Sequence, residues 1–175
     1  APCIIIECDG EDRAVERVES PSHFSELSPD ALMTEILRGG IVGLGGAVFP
    51  TAQKLMQAVA GKVEFLLLNG VECEPYISCD DMLMRERAAA VLGGAQIMMH
   101  ALQAATCYVA IESDKPEAIR HTADALAELG DERITIRQVP TIYPSGGEDQ
   151  LVQLLTSREV PTGVLPSEVG CVVQN

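Results

Sequence analysis

The sequence is poor in the residues that nucleic-acid-binding and membrane-spanning proteins use. It contains no tryptophan and only 3% aromatic residues, so it offers few rings on which bases could stack. Its 12 Lys and Arg residues are outnumbered by 26 Asp and Glu, and the resulting formal charge of −14 repels a phosphate backbone. No apolar run approaches the roughly 20 residues that a membrane-spanning helix needs. We therefore expect no nucleic-acid partner and no direct membrane span.

The cysteines and histidines lack the spacing of a metal site. There are six cysteines, and no two of them form a C-x-x-C pair. Iron–sulfur clusters are commonly held by such short spacings, so we expect no cluster and no metal site in these residues. Most of the cysteines lie in apolar runs, which predicts buried free thiols in a reducing compartment. The three histidines are scattered, and we expect them to be structural or exposed.

The content of apolar residues predicts a globular protein. Apolar residues make up 47% of the 175 residues, enough for one domain with a core. Segments 3–8 and 14–19 predict two short strands. Because the chain opens inside a strand and stops just after another, we expect a fragment of a longer protein. We assign residues 1–27 to a β segment and connector from a preceding region, and residues 28–175 to one α/β domain.

From residue 29 onward, helical and strand patterns alternate along the chain. The segment "VEFLLLNG" is a continuous apolar run, as expected of a strand buried on both faces of a parallel sheet. The alternation predicts an α/β three-layer sandwich, with helices on both faces of a mostly parallel sheet. The third helix is expected to bend at Gly93-Gly94. Predicted helices cover 29–38, 50–60, 80–105, 115–130 and 146–157, and predicted strands cover 63–70, 107–112, 133–140 and 170–175.

A glycine-rich stretch, "GGIVGLGGAVFPTAQK", lies between the first two predicted helices. Backbone amides exposed by glycine can cradle a phosphate at the start of a helix, where Lys54 would add positive charge. The stretch is not a dinucleotide-binding fingerprint, because a helix precedes it and Val48 stands where the third glycine belongs. From the residues alone, two interpretations stay open: a phosphate or cofactor loop, and a tight connection between helices.

Two further loops follow predicted strands, where ligands bind in α/β sheets. In the first of them, Glu72 and Glu74 can accept hydrogen bonds from ribose hydroxyls or an amide, or bind a cation, or form a solvated acidic turn. Asn69 either contacts a ligand or shapes the turn. Asp80 and Asp81 are interpreted as helix-start residues.

The other loop, "IYPSGGEDQ", brings two glycines and an acid to the start of a predicted helix. Gly146-Gly147 would allow a ligand to approach the backbone closely, and Glu148 would add a carboxylate. The alternative is an ordinary helix N-terminus with a favourable charge. The residues alone do not decide between these two interpretations.

Long stretches of the chain resemble the C subunit of the Rnf (Rsx) ion-translocating electron-transport complex. They are "GIVGLGGAVFPTAQKL", "LLLNGVECEPYISCDD" with "LMRERA", "IESDKPEAI", and "YPSGGEDQLVQLLTSREVPTGVLPSEVGCVVQN". The similarity covers roughly residues 1–175. More distantly, the glycine-rich, acidic and "YPSGGEDQ" stretches resemble the FMN- and NADH-binding subunit of respiratory complex I.

The resemblance implies a fold, a reaction and a location. The fold is an α/β FMN-binding domain, in agreement with the alternating pattern. The reaction is hydride transfer from NADH to FMN, followed by release of single electrons to 4Fe-4S clusters that lie only in a missing C-terminal region. The partners are the other subunits of the complex, and the place is the cytoplasmic face of the bacterial inner membrane, with peripheral attachment.

The resemblance also implies cofactor contacts in all three loops. Residues of the glycine-rich loop would lie against the flavin and its phosphate, with Phe49 near the nicotinamide and Lys54 near the FMN. Glu74 would lie near the nicotinamide nucleotide. No side chain is expected to act as a catalytic acid or base, because hydride transfer depends on geometry. The implied cofactor-binding residues are Gly43, Gly45, Gly46, Ala47, Phe49, Lys54, Asn69, Glu72, Glu74, Tyr143, Gly146, Gly147 and Glu148.

Some positions depart from the pattern of these families. Leu44, Val71 and Gly147 stand where complex I has an arginine, an aspartate and a glutamate. Val48 replaces a glycine that both families commonly have, and valine resists positive φ. We expect Val48 to alter the pose or the affinity of the flavin. The alternative functions are a non-catalytic docking domain with a weakened flavin site and, more weakly supported, a nucleotide-binding domain without redox chemistry.

Overall fold

The computed structural model describes residues 3, 5, 7–11, 13–14, 23–59 and 62–175. The first strand was predicted at residues 3–8, and those of its residues that the structure describes do not form a strand. The second, at 14–19, lies outside the described residues apart from Ala14. The division of the chain at residue 28 therefore stays a prediction.

The described residues contain five α-helices, two short 3₁₀ helices (Phe24–Glu26 and Pro166–Val169) and four strands. After the first two α-helices, strands and α-helices alternate as the sequence predicts. Each predicted element from residue 29 onward is present, with ends that differ by a few residues. Ala60, the predicted end of the second helix, lies outside the described residues. The elements are α1 (Pro29–Arg38), α2 (Thr51–Val59), β1 (Phe65–Gly70), α3 (Cys79–Leu102), β2 (Thr106–Glu112), α4 (Pro116–Leu129), β3 (Ile134–Val139), α5 (Glu148–Thr156) and β4 (Cys171–Gln174).

Local chemistry explains the start of α1 and the course of α3. The Ser28 hydroxyl accepts a hydrogen bond from the N–H of Ala31 at 3.3 Å, and proline occupies the first helical position. The bend predicted at Gly93-Gly94 is wrong, because α3 is interrupted at Arg87, where φ is −136° and ψ is 26°. Leu92 and Ala95 on either side of the glycines are buried and keep that turn of the helix packed against the core.

The four strands form a parallel sheet in the order β3-β2-β1-β4. In the ladder, Gly70 pairs with Ile111 of β2, and Leu68 pairs with Gln174 of β4. The chain moves outward from β1 to β2 to β3 and then crosses to the other side of β1. The strand order therefore reverses between β1 and β4, and this kind of switch point is where open parallel sheets bind ligands.

Helices cover both faces of the sheet, which confirms the predicted sandwich. Leu66 and Val109 pack on the side of α1 to α4, in one cluster with Leu92 of α3. Leu67 and Val173 face the other side, in a cluster with Leu151 of α5. Burial on both faces explains why β1 is an unbroken apolar run. Among the helices of the described residues, none combines the length and apolar character needed to cross a bilayer.

Candidate cofactor-binding site

A cavity of about 620 Å³ opens at the carboxyl ends of β1 and β4, at the switch point of the sheet. Its volume lies within the range of about 300 to 1,000 Å³ that small-molecule sites occupy. Loop 43–49, the segment after β1 and the start of α5 all contribute to its wall. The structure thus brings together the three loops that the sequence singles out. The predicted residues that line the cavity are Gly43, Gly45, Gly46, Ala47, Phe49, Lys54, Asn69, Glu72, Glu74, Gly146 and Glu148.

Two predicted residues lie outside this lining. Tyr143 is 70% exposed on the loop before α5. Gly147 has extended backbone angles and is the residue that precedes the first turn of α5. A cofactor role for these two residues stays a prediction, as it does for the residues in the wall.

Loop 43–49 is closed at its base, and at Gly45 it leaves no room for a side chain beside the end of β4. Val42 and Pro50 form an antiparallel bridge, and the N–H of Gly43 donates to the carbonyl of Phe49 at 2.9 Å. A Cβ atom on Gly45 would lie 2.7 to 2.8 Å from the side-chain atoms of Asn175. Glycine at position 45 therefore allows this loop to approach the end of β4.

Val48 has a φ of +53°, in the left-handed region that β-branched residues rarely adopt. Its side chain is 62% exposed and lines the cavity. Valine therefore adopts the conformation that it disfavours, at a cost of about 1 to 3 kcal/mol. The backbone path of the loop suits glycine, and the two methyl groups lie at the cavity wall.

Lys54 connects three elements at the cavity. Its Nζ donates to Oε1 of Glu148 at 3.1 Å and to the carbonyl of Val173 at 2.7 Å. The side chain is 26% exposed, and Nζ lies 6.0 Å from the centre of the Phe49 ring. The contacts fix a positive charge between α2, α5 and β4, and they neutralise part of the carboxylate of Glu148.

Asn69 and Gly146 join the end of β1 to the loop before α5. Nδ2 of Asn69 donates to the carbonyl of Gly146 at 2.9 Å, and Oδ1 accepts from the N–H of Val71 at 3.2 Å. A Cβ on Gly146 would lie 2.7 Å from the carbonyl oxygen of Val71. Asn69 therefore shapes the turn, one of the two roles that the sequence left open, and Gly146 is required by backbone packing.

Glu72 caps α3 from inside the wall of the cavity. Its two carboxylate oxygens accept the N–H groups of Asp80 at 2.7 Å and of Asp81 at 3.0 Å, and the residue is 6% exposed. Asp80 and Asp81 lie in the first turn of the helix, as the sequence predicts. Burial, together with the negative charges of Glu72 and Glu74, raises the pKa of Asp80 to about 6.

An acidic cluster with one thiol surrounds this cap. A carboxylate oxygen of Glu72, a carboxylate oxygen of Asp80 and Sγ of Cys79 all lie within 4.8 Å of one another, and all three are atoms that can bind a metal ion. Both oxygens of Glu72 already accept backbone N–H groups, so we interpret the cluster as the cap of α3. Glu74, in contrast, is exposed at the cavity mouth.

Sequence reasoning missed two polar residues at the end of β4. Gln174 is 7% exposed, and its Nε2 lies 3.4 Å from the position that a Cβ on Gly43 would take. Asn175 follows it, and both residues line the cavity. The available signal was the same as for Asn69: a polar side chain at the carboxyl end of a buried apolar strand.

Comparisons of the sequence with known proteins identify relatives over its full length. The sequence model of the Nuo51 FMN-binding domain matches residues 36–175. The chain is 52% identical over 175 residues to the C subunit of the ion-translocating oxidoreductase complex of Pseudomonas aeruginosa, with 100% of this chain and 22% of that protein covered. It is 48% identical over 174 residues to the protein of the same name from Haemophilus influenzae, with 99% of this chain and 26% of that protein covered. The chain thus spans about a quarter of the length of these curated relatives.

Two crystal structures of an NAD⁺-reducing [NiFe]-hydrogenase contain a similar fold. The air-oxidized form matches with a TM-score of 0.74 and 25% identity, over 87% of this chain and 29% of that chain. The H₂-reduced form matches with a TM-score of 0.69 and 24% identity, over 87% of this chain and 30% of that chain. These similarities confirm the predicted α/β fold.

Proposed function

Because the chain belongs to the Nuo51 FMN-binding domain family, and within it to the C subunits of ion-translocating oxidoreductase complexes, we propose that it binds FMN in the cavity at the β1–β4 switch point and oxidises NADH there. Electrons then pass to iron–sulfur clusters outside these residues. The protein works as a peripheral part of a membrane complex, on the cytoplasmic face of the inner membrane. The main observation in support of the proposal is that the glycine-rich loop and Lys54 line the same cavity at the switch point of the sheet.

The lining of the cavity suits a flat, anionic and partly apolar molecule. Lys54 supplies a fixed positive charge for a phosphate, which would compete with Glu148 for the ammonium group. Gln174 and Asn175 supply amide donors and acceptors for a hydroxylated chain and the polar edge of a ring. Val48 and Phe49 supply apolar surface for a ring face. The residues present therefore fit FMN.

When bound, FMN supplies the capacity to accept a hydride and to release electrons one at a time. The protein residues position the reactants. Glu74, exposed at the mouth, can accept hydrogen bonds from the ribose hydroxyls of a second nucleotide. Its negative charge repels an additional ribose phosphate, so we propose NADH as the substrate in preference to NADPH.

The test is a titration with FMN followed by NADH under anaerobic conditions. We expect bound FMN to lose fluorescence and then to bleach when NADH is added. In Gly45→Val, the new side chain and the displaced Asn175 compete for the cavity, so we expect FMN affinity to fall at least about tenfold, or ~1.4 kcal/mol. Unchanged flavin content in this variant would show that the loop is not the binding site.

Gly93→Ala is the matched control. Gly93 lies in α3 with nothing within 4 Å of the position of an added Cβ, so this variant should fold and bind FMN as the wild type does. Absence of FMN binding by the folded wild-type protein would support the alternative, a non-catalytic docking domain. The positive φ of Val48 is the observation that favours that alternative. Binding without bleaching would indicate a nucleotide-binding domain without redox chemistry.

A further inference from the structure

Glu112, the last residue of β2, is a buried acid that the proposed function does not use. It is 1% exposed, and neither of its carboxylate oxygens has a hydrogen-bond partner among the described residues. An ionised carboxylate without partners in such a place costs several kcal/mol, whereas the neutral acid costs much less. A residue of this kind requires an explanation, because buried polar groups in proteins are nearly always paired.

The sheet places Glu112 directly behind the wall of the cavity. The last pair between β1 and β2 is Gly70 with Ile111, and Glu112 pairs with Val139 of β3, so the acid and Val71 each lie one residue beyond the β1–β2 ladder. Side chains alternate along a strand, so Glu112 points to the same face as Ala110, in the cluster that also contains Val71 and Val139. Val71 itself lines the cavity. The acid therefore lies on the same face of the sheet as Val71, a residue that borders the space proposed for the cofactor.

The charges around Glu112 are mostly negative. Burial raises the pKa of its carboxyl group, and the nearby charges of Asp114, Glu72 and Glu74 raise it further, while Lys115 acts in the opposite direction. Glu72 and Glu74 belong to the loop that forms part of the cavity wall. Negative charges that border the cavity thus act on the carboxyl group of Glu112 and favour its protonated form.

We propose that Glu112 binds a proton when negative charge is added to the cavity, so that reduction of the bound flavin draws a proton from solvent to this side chain. The proposal rests on the proposed function, since it requires a reducible cofactor in the cavity. The step forms one O–H bond on the carboxylate and moves no electrons through Glu112. Protonation of Glu112 would offset the negative charge that reduction adds to the cavity.

The first test is the midpoint potential of FMN as a function of pH in wild-type protein and in Glu112→Gln. Uptake of one additional proton per two electrons changes the reduction equilibrium by a further factor of about ten per pH unit, about 30 mV. We expect this additional slope in the wild type, over the range in which Glu112 titrates. It should be absent in Glu112→Gln, which cannot ionise. At lower pH the two proteins should have parallel slopes.

A second readout needs no cofactor. Because the folded-state pKa of Glu112 is raised, its neutral form is favoured by folding, and wild-type stability is lost as pH rises from the ordinary value of about 4.3 toward the folded value. Glu112→Gln should lack this loss, so its advantage in free energy of unfolding should grow with pH. Glu132→Gln, at an exposed position before β3, is the control and should follow the wild-type profile.

The outcomes separate this inference from the proposed function. Failure of the folded wild-type protein to bind FMN would overturn both. Normal FMN binding and NADH bleaching, with the same potential–pH slope in Glu112→Gln as in wild type, would overturn the role of Glu112 alone. If the variant does not fold, the infrared difference between the reduced and oxidised forms of Asp80→Asn decides, because Asp80 also lines the cavity and has a raised pKa. A new protonated-carboxyl band on reduction supports the proposal, and its absence overturns it.

Discussion

At the scale of single residues, Val48 has a left-handed backbone conformation, which Gln103 and Ser157 adopt because they end helices, whereas Val48 and Tyr76 adopt it within loops. Gln103 and Ser157 also have positive φ, at +55° and +60°, but they end α3 and α5, where a left-handed residue closes the helix. Val48 ends no helix and is mostly exposed, so burial of its side chain offsets little of the backbone strain. The strain lies in the loop that forms one side of the cavity.

Replacing Val48 with glycine should raise the free energy of unfolding and increase the affinity for FMN. Relief of the left-handed strain is partly offset by the greater freedom of glycine in the unfolded chain, so we expect a gain of about 1 kcal/mol. Removal of the two methyl groups also gives a ring closer access to the loop backbone. Denaturant unfolding and FMN titration measure the two effects.

Ser157→Gly is the control for this prediction, because it relieves a similar backbone conformation away from the cavity. It should increase stability without changing FMN affinity. Looser FMN binding by Val48→Gly would show instead that the methyl groups contact the cofactor favourably.

Which residues line the cavity was more predictable than the contacts that these residues make. Glycine at 146 is interpreted from the sequence as a place for close ligand approach, yet its lack of a side chain also accommodates the carbonyl of Val71. Glu72 is interpreted as a ligand-facing acid, yet both its oxygens bind the backbone of α3. These contacts depend on how segments distant in the sequence pack together, and this packing cannot be predicted from the composition and spacing of the residues.

At the scale of elements, the start of α3 depends on a side chain from outside the helix. Ser78 precedes the helix but makes no side-chain capping bond, and Glu72 accepts two of the free N–H groups instead. A carboxylate at this end is also favoured by the helix dipole. The cap holds loop 71–78, which forms part of the cavity wall, against α3.

Glu72→Ala should therefore lower the free energy of unfolding by about 1 to 3 kcal/mol, because one buried and one partly buried N–H group lose their acceptor. Glu74→Ala is a matched control on the same loop, at an exposed position, and should change stability by less than about 0.5 kcal/mol. Thermal or denaturant unfolding of both variants provides the measurement. Equal stability of the two variants would refute the capping role.

The order of the strands is the part of the fold that the sequence did not predict. Alternating patterns identified β1 to β4 and the helices between them, because hydrophobic periodicity is a local signal. Placement of β4 beside β1 depends on contacts between residues about a hundred positions apart, such as Phe65 with Cys171. The cavity follows from that placement, so its position was predicted only through the general rule for parallel sheets.

At the scale of the whole molecule, negative charge opposes the ligands that the site is proposed to bind. The formal charge is −14, and the cavity wall itself contains Glu72, Glu74, Asp80 and Glu148 against the single lysine Lys54. FMN and NADH are both anionic. Long-range repulsion should therefore slow their approach, while Lys54 acts only at short range because Glu148 neutralises part of its charge.

The association rate constant of FMN should consequently rise with salt, by several-fold between 0.01 M and 0.15 M ionic strength, as the screening length falls from about 30 Å to about 8 Å. Stopped-flow quenching of flavin fluorescence measures this rate. Riboflavin lacks the phosphate and is uncharged, so its association rate should be nearly independent of salt and serves as the control. A rate that falls with salt for FMN alone would mean that Lys54 and the loop amides dominate the field at the cavity mouth, and that the net charge of the protein does not govern the approach.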